Sequence, residues 1–249
     1  MAENLNLKPR TIGNISGVAT SIPEFLTVII SSIKGLTNTS IYNILSSNII
    51  NFIQYITSII IHKNQKQLKN KAIIIQLVFV LLTILIPVIL LKNEKDISLI
   101  MAIIFIILYF IFTWITKKVH EKYMDKKENW QEYEEIEEEK RKQNKKSYIY
   151  VLYIILAGIL LYVIGNALGN VLENLAEKFN IAEYILGILL GFITSIPELI
   201  TFFESQKHYK EKEEKKALGV IEATNNLLTS NMLNLFVIQA LGIIVYSLI

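Results

Sequence analysis

The chain has 249 residues, of which 52% are hydrophobic, with a mean hydropathy of +0.42 and a formal net charge of +3. This excludes an ordinary soluble domain, whose charges are spread more evenly. Here the charges are bunched between apolar runs of about 20 residues, long enough to span a hydrocarbon core of roughly 30 Å. There is no cysteine, so disulfides are excluded and the redox compartment is not legible.

Taken in order, the apolar runs predict spans at 11–33, 41–61, 71–91, 97–116, 147–172, 183–204 and 222–248. The N-terminus does not read as a secretory signal, because it carries Glu3 and Lys8-Pro9-Arg10 and its first run is interrupted by Pro23-Glu24. All the spans are read as helices, since an open sheet cannot satisfy its backbone in lipid. The expected class is therefore an all-α, polytopic membrane protein with about seven transmembrane helices.

Seven spans make the connecting segments alternate between two sides, and 21 of the 25 Lys/Arg fall on one of them. That side carries the N-terminus and the segment 117–146 and is expected to be cytoplasmic, in a multi-pass protein of the cell membrane. In 117–146 a glutamate-rich run (132–139) precedes Lys140-Arg-Lys142, which suits a solvated helix with weak i,i+4 pairs. It shows no oxygen-ligand loop pattern. His62, His120 and His208 lie in or beside these segments and are expected to be solvated.

Two stretches repeat. Gly187-Ile-Leu-Leu-Gly-Phe-Ile-Thr-Ser-Ile-Pro-Glu198 matches Gly13-Asn-Ile-Ser-Gly-Val-Ala-Thr-Ser-Ile-Pro-Glu24 at a constant offset of 174. A shared helical period would not align Gly, Gly, Thr, Ser, Pro and Glu together, so this is an internal repeat. In the next span of each copy, Asn43-Ile-Leu-Ser-Ser-Asn48-Ile-Ile-Asn51 matches Asn226-Leu-Leu-Thr-Ser-Asn231-Met-Leu-Asn234 at an offset of 183. Four spans separate those of Glu24 and Glu198, so the copies run in opposite directions through the membrane. Transporters with inverted repeats place their substrate near the midplane on interrupted helices. The expected division is a first repeat over 1–116, a cytoplasmic charged linker over 117–146 and a second repeat over 147–249.

Glu24 and Glu198 fall near the middles of their spans. A charge there costs at least about 2.5–3.5 kcal/mol and needs a partner. Neither span contains Lys or Arg in its apolar stretch, so an external cation or a proton is the natural counter-charge. Pro23 and Pro197 cannot donate a backbone hydrogen bond, which leaves the carbonyl of Ala19 or Ile193 without its usual partner and loosens neighbours such as Gly17 and Gly191. Free carbonyls beside a carboxylate are hard oxygen ligands suited to Ca²⁺ or Na⁺. Thr20 and Thr194, four residues before the glutamates, are expected on the same helical face. The plainer alternative is a kinked, packed helix whose glutamate bonds a neighbour. Ser47 with Asn51, and Ser230 with Asn234, are i,i+4 pairs that either complete an oxygen cage or hold helices together. Gly13/Gly17, Gly165/Gly169 and Gly187/Gly191 are small-residue pairs that let helices approach closely.

These motifs resemble those of the sodium/calcium exchanger superfamily, cation antiporters whose two inverted repeats carry Gly-Thr-Ser-x-Pro-Glu and Gly-Ser-Asn-x-x-Asn/Asp. Here they read Ala19-Thr-Ser-Ile-Pro-Glu24, Ile193-Thr-Ser-Ile-Pro-Glu198, Ser46-Ser-Asn-Ile-Ile-Asn51 and Thr229-Ser-Asn-Met-Leu-Asn234. The resemblance implies an inverted-repeat exchanger fold, with Glu24 and Glu198 as principal Ca²⁺ ligands and Thr20 and Thr194 nearby. It implies that Ser21, Ser195, Ser47, Ser230, Asn51 and Asn234 line Na⁺ positions, with carbonyls of Gly17 and Gly191 contributing. The chain departs from the pattern at the motif glycines, replaced by Ala19, Ile193, Ser46 and Thr229, so packing around the site is expected to differ. It also has Asn234 where many relatives have Asp, and two carboxylates balance one Ca²⁺ better than three Na⁺. The family typically has ten helices; measured on the repeat, the first helix of the first copy and the last two of the second are expected to be missing.

The expected activity is exchange of Ca²⁺ for Na⁺ or H⁺ by alternating access at a midplane site. The alternative is a truncated, non-transporting family member, or a subunit that needs a partner to complete the transporter. No nucleophile–base constellation appears, so no catalytic residues and no enzyme activity are expected. No cofactor is expected beyond the transported ions. The expected partners are Ca²⁺, a counter-ion and the lipid bilayer, with no nucleic acid; a homo-oligomer is left open.

Overall fold

The computed structural model describes residues 9–92, 99–123, 180–209 and 216–249, together with isolated positions between 167 and 178. The described residues form helices and no strand: α1 (Pro9–Thr20), α2 (Ile22–Ile33), α3 (Thr37–Ile61), α4 (Lys71–Lys92), α5 (Leu99–Tyr123), α6 (Glu183–Thr194), α7 (Ile196–His208), α8 (Lys216–Leu233) and α9 (Gln239–Leu248). A 3₁₀ turn at Gln65–Lys69 joins α3 to α4, and a π-helical segment at Asn234–Ile238 joins α8 to α9. With α1–α2, α6–α7 and α8–α9 each taken as one interrupted rod, six helical segments are long and apolar enough to cross a membrane. Six of the expected spans therefore lie on described helices. The span at 147–172, the pair Gly165/Gly169 and the glutamate run at 132–139 fall outside the described residues.

The surface is that of a protein in lipid. Ile100, Phe110, Trp114, Ile89 and Ile200 are exposed, whereas Glu24, Glu198, Asn48 and Asn231 are fully buried. This inverts the usual soluble pattern, and is what a hydrocarbon solvent selects. α5 is the peripheral rod: 17% of its span is buried, against 67% of α8–α9. It also runs on to Tyr123, beyond the end expected at 116. No Gly or Pro interrupts it there, and Lys118 lays its ammonium 3.8 Å from the centre of the Trp114 ring. His62 departs from the expected solvated state: it is half-buried, with Nδ1 2.9 Å from the Ser58 carbonyl.

Both repeats break the rod that carries the Thr-Ser-Ile-Pro-Glu motif, at Ser21 and at Ser195. The break lies two residues before each proline. Pro23 and Pro197 thus sit in the first turn of a new helix, where a missing N–H costs nothing because first-turn donors have no intrahelical acceptor.

The two crossings that hold the repeats together are copies of one another. α1 lies along α8, with Gly13 against the Glu222 carbonyl and Gly17 against that of Asn226. α6 lies along α3, with Gly187 against the Thr39 carbonyl and Gly191 against that of Asn43. Each pair runs in the same direction, and the two sets of contacts are related by the offsets of 174 and 183 found in the sequence. Because α3 returns across the membrane after α2, α6 enters from the side opposite to α1, and the copies are inverted. A Cβ at Gly17 would stand 2.7 Å from the Asn226 carbonyl, and one at Gly191 would stand 2.7 Å from that of Asn43. Hydroxyls replace the motif glycines on the facing helices. Ser46 donates to the Gly187 carbonyl at 3.3 Å, and Thr229 donates to Asn14 Oδ1 at 3.1 Å. Ala19 and Ile193 are exposed, so a side chain at either position costs no close crossing.

Gly17→Val and Gly191→Val are each expected to destabilise the protein by about 1–3 kcal/mol through overpacking, read as a lower melting midpoint in detergent. Ile200→Ala, on the lipid face, is expected to stay within about 0.5 kcal/mol of the parent. Equal midpoints for all three would contradict the close crossing.

Candidate cation site

The breaks at Ser21 and Ser195 aim two carboxylates at the centre of the bundle. Glu24 and Glu198, in the first turns of α2 and α7, have no exposed surface. Each takes one hydroxyl from its own repeat: Ser47 donates to Glu24 Oε1 at 2.7 Å, and Ser230 donates to Glu198 Oε1 at 2.9 Å. Cross-repeat contacts close the cluster. Ser195 Oγ lies 3.0 Å from Ser47 Oγ, and Ser21 Oγ lies 3.0 Å from Ser230 Oγ. Asn234 Nδ2 reaches Ser47 Oγ at 3.5 Å, and Asn51 Nδ2 reaches Ser230 Oγ at 3.4 Å.

Two expectations change. Thr20 and Thr194 do not share a face with the glutamates of their own repeat, because the helix breaks between them. Instead Thr194 stands beside Glu24, and Thr20 beside Glu198. The carbonyls of Gly17 and Gly191 are not released: the hydroxyls of Ser21 and Ser195 turn back onto them at 2.8 and 2.7 Å. The proline acts through the restarted helix rather than by freeing these oxygens.

The decisive feature is what remains unpaired. Glu24 Oε2, Glu198 Oε2, Asn51 Oδ1 and Asn234 Oδ1 are buried without a hydrogen-bond partner. All four are acceptors, and they form two repeat-related pairs. Among the described residues no Lys, Arg or His forms an ion pair with either glutamate. One turn further along, Asn43 Nδ2 and Asn226 Oδ1 are also unpaired. Buried acceptors normally find donors, and a buried carboxylate without a counter-charge is costly. A cluster of carboxylate, amide and hydroxyl oxygens suits a hard cation. The described residues contain no group of three or more His, Cys, Asp or Glu that could hold a metal ion, so a cation here would rely on amide and hydroxyl oxygens beside the two carboxylates.

Around this core lies a second layer that the sequence reading did not assign, built by Asn48 and Asn231. Each donates Nδ2 to the other's main-chain carbonyl, at 3.3 and 3.1 Å. Their place in the repeated motif was the available signal, but spacing alone does not separate a ligand from its support. The half-sites also differ locally. Asn51 lies within the uninterrupted α3, whereas Asn234 opens the π-helical segment and its carbonyl accepts from the Gln239 N–H. Single π turns inside helices recur at functional sites.

Inverted repeats, broken rods and a buried acceptor cluster define a multi-pass helical membrane protein of the ion-transporter class. The family model described as sodium/calcium exchanger protein matches residues 1–118 and 149–249, and the chain belongs to this family of cation exchangers. No curated protein and no solved structure matches the chain.

The absence of native cysteine allows a direct test of the cluster. Ser47→Cys with Ser195→Cys, and Ser21→Cys with Ser230→Cys, place two thiols where hydroxyls stand 3.0 Å apart. Each pair is expected to form a disulfide between the repeats. Cleavage at a protease site inserted within 124–150 should then leave one band without reductant and two with it. Ile60→Cys with Ser195→Cys should give two bands in both conditions. Two bands for the serine-derived pairs without reductant would refute the arrangement.

Proposed function

We propose that the protein exchanges Ca²⁺ for Na⁺ or H⁺ across the cell membrane by alternating access, with the cation held between Glu24 and Glu198. The observation that carries this reading is the set of four buried, unpaired oxygens, Glu24 Oε2, Glu198 Oε2, Asn51 Oδ1 and Asn234 Oδ1. Thr20 and Thr194 stand at the carboxylates. Ser47 and Ser230 supply hydroxyls that turn between donating to a carboxylate and accepting from a cation's hydration water, and Ser21 and Ser195 stand beside them with hydroxyls that turn away from the glycine carbonyls for the same purpose. The Gly17 and Gly191 carbonyls join them by exchanging the Ser21 and Ser195 hydroxyl bonds for the cation. Two negative charges match one Ca²⁺ or two monovalent cations, so the exchange is electroneutral in this reading. The Lys-rich ends, including Lys63, Lys66, Lys69, Lys207 and Lys216, face the cytoplasm. The two carboxylates belong to oppositely oriented repeats, and this supports a site that either face of the membrane can reach.

Reconstituted protein is expected to take up ⁴⁵Ca²⁺ when liposomes hold an outward Na⁺ or H⁺ gradient, the driver being the ion whose gradient is required. An imposed K⁺–valinomycin potential should leave the rate unchanged. Glu24→Gln and Glu198→Gln should each lower uptake about tenfold to hundredfold, the range for losing a charged contact in a buried site. Uptake by both variants at the parent rate would remove the carboxylates from the site, and a rate that follows the potential would overturn electroneutral exchange.

A further inference from the structure

We propose that Asn48 and Asn231 are positioning residues that decide which end of the Asn51 and Asn234 side-chain amides faces the cation, an inference that rests on the cation-site reading above. A side-chain amide has two ends of similar size, one an acceptor and one a donor. A cation tolerates only the oxygen. An unsupported asparagine could turn its NH₂ inward and abolish the ligand, so something must fix its polarity.

The fixed reference is the main chain, since a backbone carbonyl only accepts. Asn48 Nδ2 points at two such carbonyls, those of Thr83 on α4 at 3.4 Å and Asn231 on α8 at 3.3 Å. This leaves Asn48 Oδ1 as an acceptor, and Asn234 Nδ2 donates to it at 3.1 Å. With its NH₂ so held, Asn234 keeps Oδ1 buried and unpaired. The second half repeats the logic. Asn231 Nδ2 donates to the Asn48 carbonyl at 3.1 Å, Asn51 Nδ2 donates to Asn231 Oδ1 at 3.2 Å, and Asn51 Oδ1 is left unpaired. The hydroxyls agree: Ser47 and Ser230 give their protons to the glutamates, so each presents lone pairs to the NH₂ of Asn234 or Asn51. Every bond in the chain is donated in the direction from the Asn234 and Asn51 NH₂ groups toward the backbone carbonyls, which leaves the two amide oxygens unpaired. Each orienting asparagine belongs to the repeat opposite the amide it sets, so the pairs are Asn48 with Asn234 and Asn231 with Asn51.

This pairing gives a rescue that a packing role would not produce. A carboxylate has oxygen at both ends and needs no orientation. Ca²⁺ binding to the purified full-length protein in detergent is measured by titration calorimetry. Asn48→Ala is expected to weaken binding about tenfold, the scale of one hydrogen bond's control over a buried ligand. Adding Asn234→Asp should restore it, whereas adding Asn51→Asp, which brings the same extra charge, should restore it at least about fivefold less. The mirror set, Asn231→Ala rescued by Asn51→Asp and not by Asn234→Asp, should behave alike. Equal rescue by matched and mismatched aspartates would reduce the effect to charge and overturn the proposal. A parent protein that binds no Ca²⁺ would instead overturn the cation-site reading, and the proposal with it. If neither alanine variant folds, infrared difference spectra of the unaltered protein decide. A side-chain amide carbonyl shift on Ca²⁺ addition is expected, and its absence would overturn the proposal.

Discussion

Two carboxylates are buried at the centre of the bundle, and among the described residues no positive charge is paired with them. Glu24 and Glu198 each receive a serine hydroxyl, which orients the carboxyl group but brings no counter-charge. Hydrophobic packing could have filled this volume at less cost, since replacing buried ionic groups by apolar ones is often neutral or stabilising. The surrounding architecture is arranged to hold the pair. The breaks at Ser21 and Ser195 put each glutamate in the first turn of a restarted helix. The glycine crossings bring the opposing rods close enough for Ser21 to meet Ser230 and for Ser195 to meet Ser47.

The site is shared between the repeats rather than assembled from two independent halves. The serine that bonds each glutamate comes from the same repeat, but the nearby threonine, the second serine and the amide come from the other. The two-fold relation therefore does more than duplicate ligands. It ties the placement of each ligand to the docking of α1 on α8 and of α3 on α6. A shift of either crossing would move oxygens of both repeats together.

Much of this was legible in the sequence because it depends on residue identity and spacing. The constant offset between Gly13–Glu24 and Gly187–Glu198 located the repeats, and an even number of intervening spans fixed their opposite orientation. Apolar length located the rods. Other features depend on three-dimensional choices that spacing does not encode. The chain breaks at Ser21 and Ser195 because a serine hydroxyl can cap the glycine carbonyl four residues back, which lets the proline fall inside a new helix. Once the rod is broken there, Thr20 and Thr194 no longer follow helical periodicity relative to the glutamates, and each meets the glutamate of the other copy. Asn48 and Asn231 look like further candidate ligands in a motif. Only the positions of backbone carbonyls on neighbouring helices reveal that their NH₂ groups are committed elsewhere. α5 outran its expected end because an apolar run marks where lipid stops, not where a helix does.

The same-direction crossing of α1 with α8 has a consequence for biogenesis. When the ribosome has delivered only the first repeat to the membrane, the strip of α1 that will meet α8, including Gly13 and Gly17, has no neighbour from the second repeat. The amides of α3 still lack their orienting partners. That half-built intermediate leaves polar groups without the contacts the finished bundle gives them. Those contacts are completed only when α8 joins the bundle.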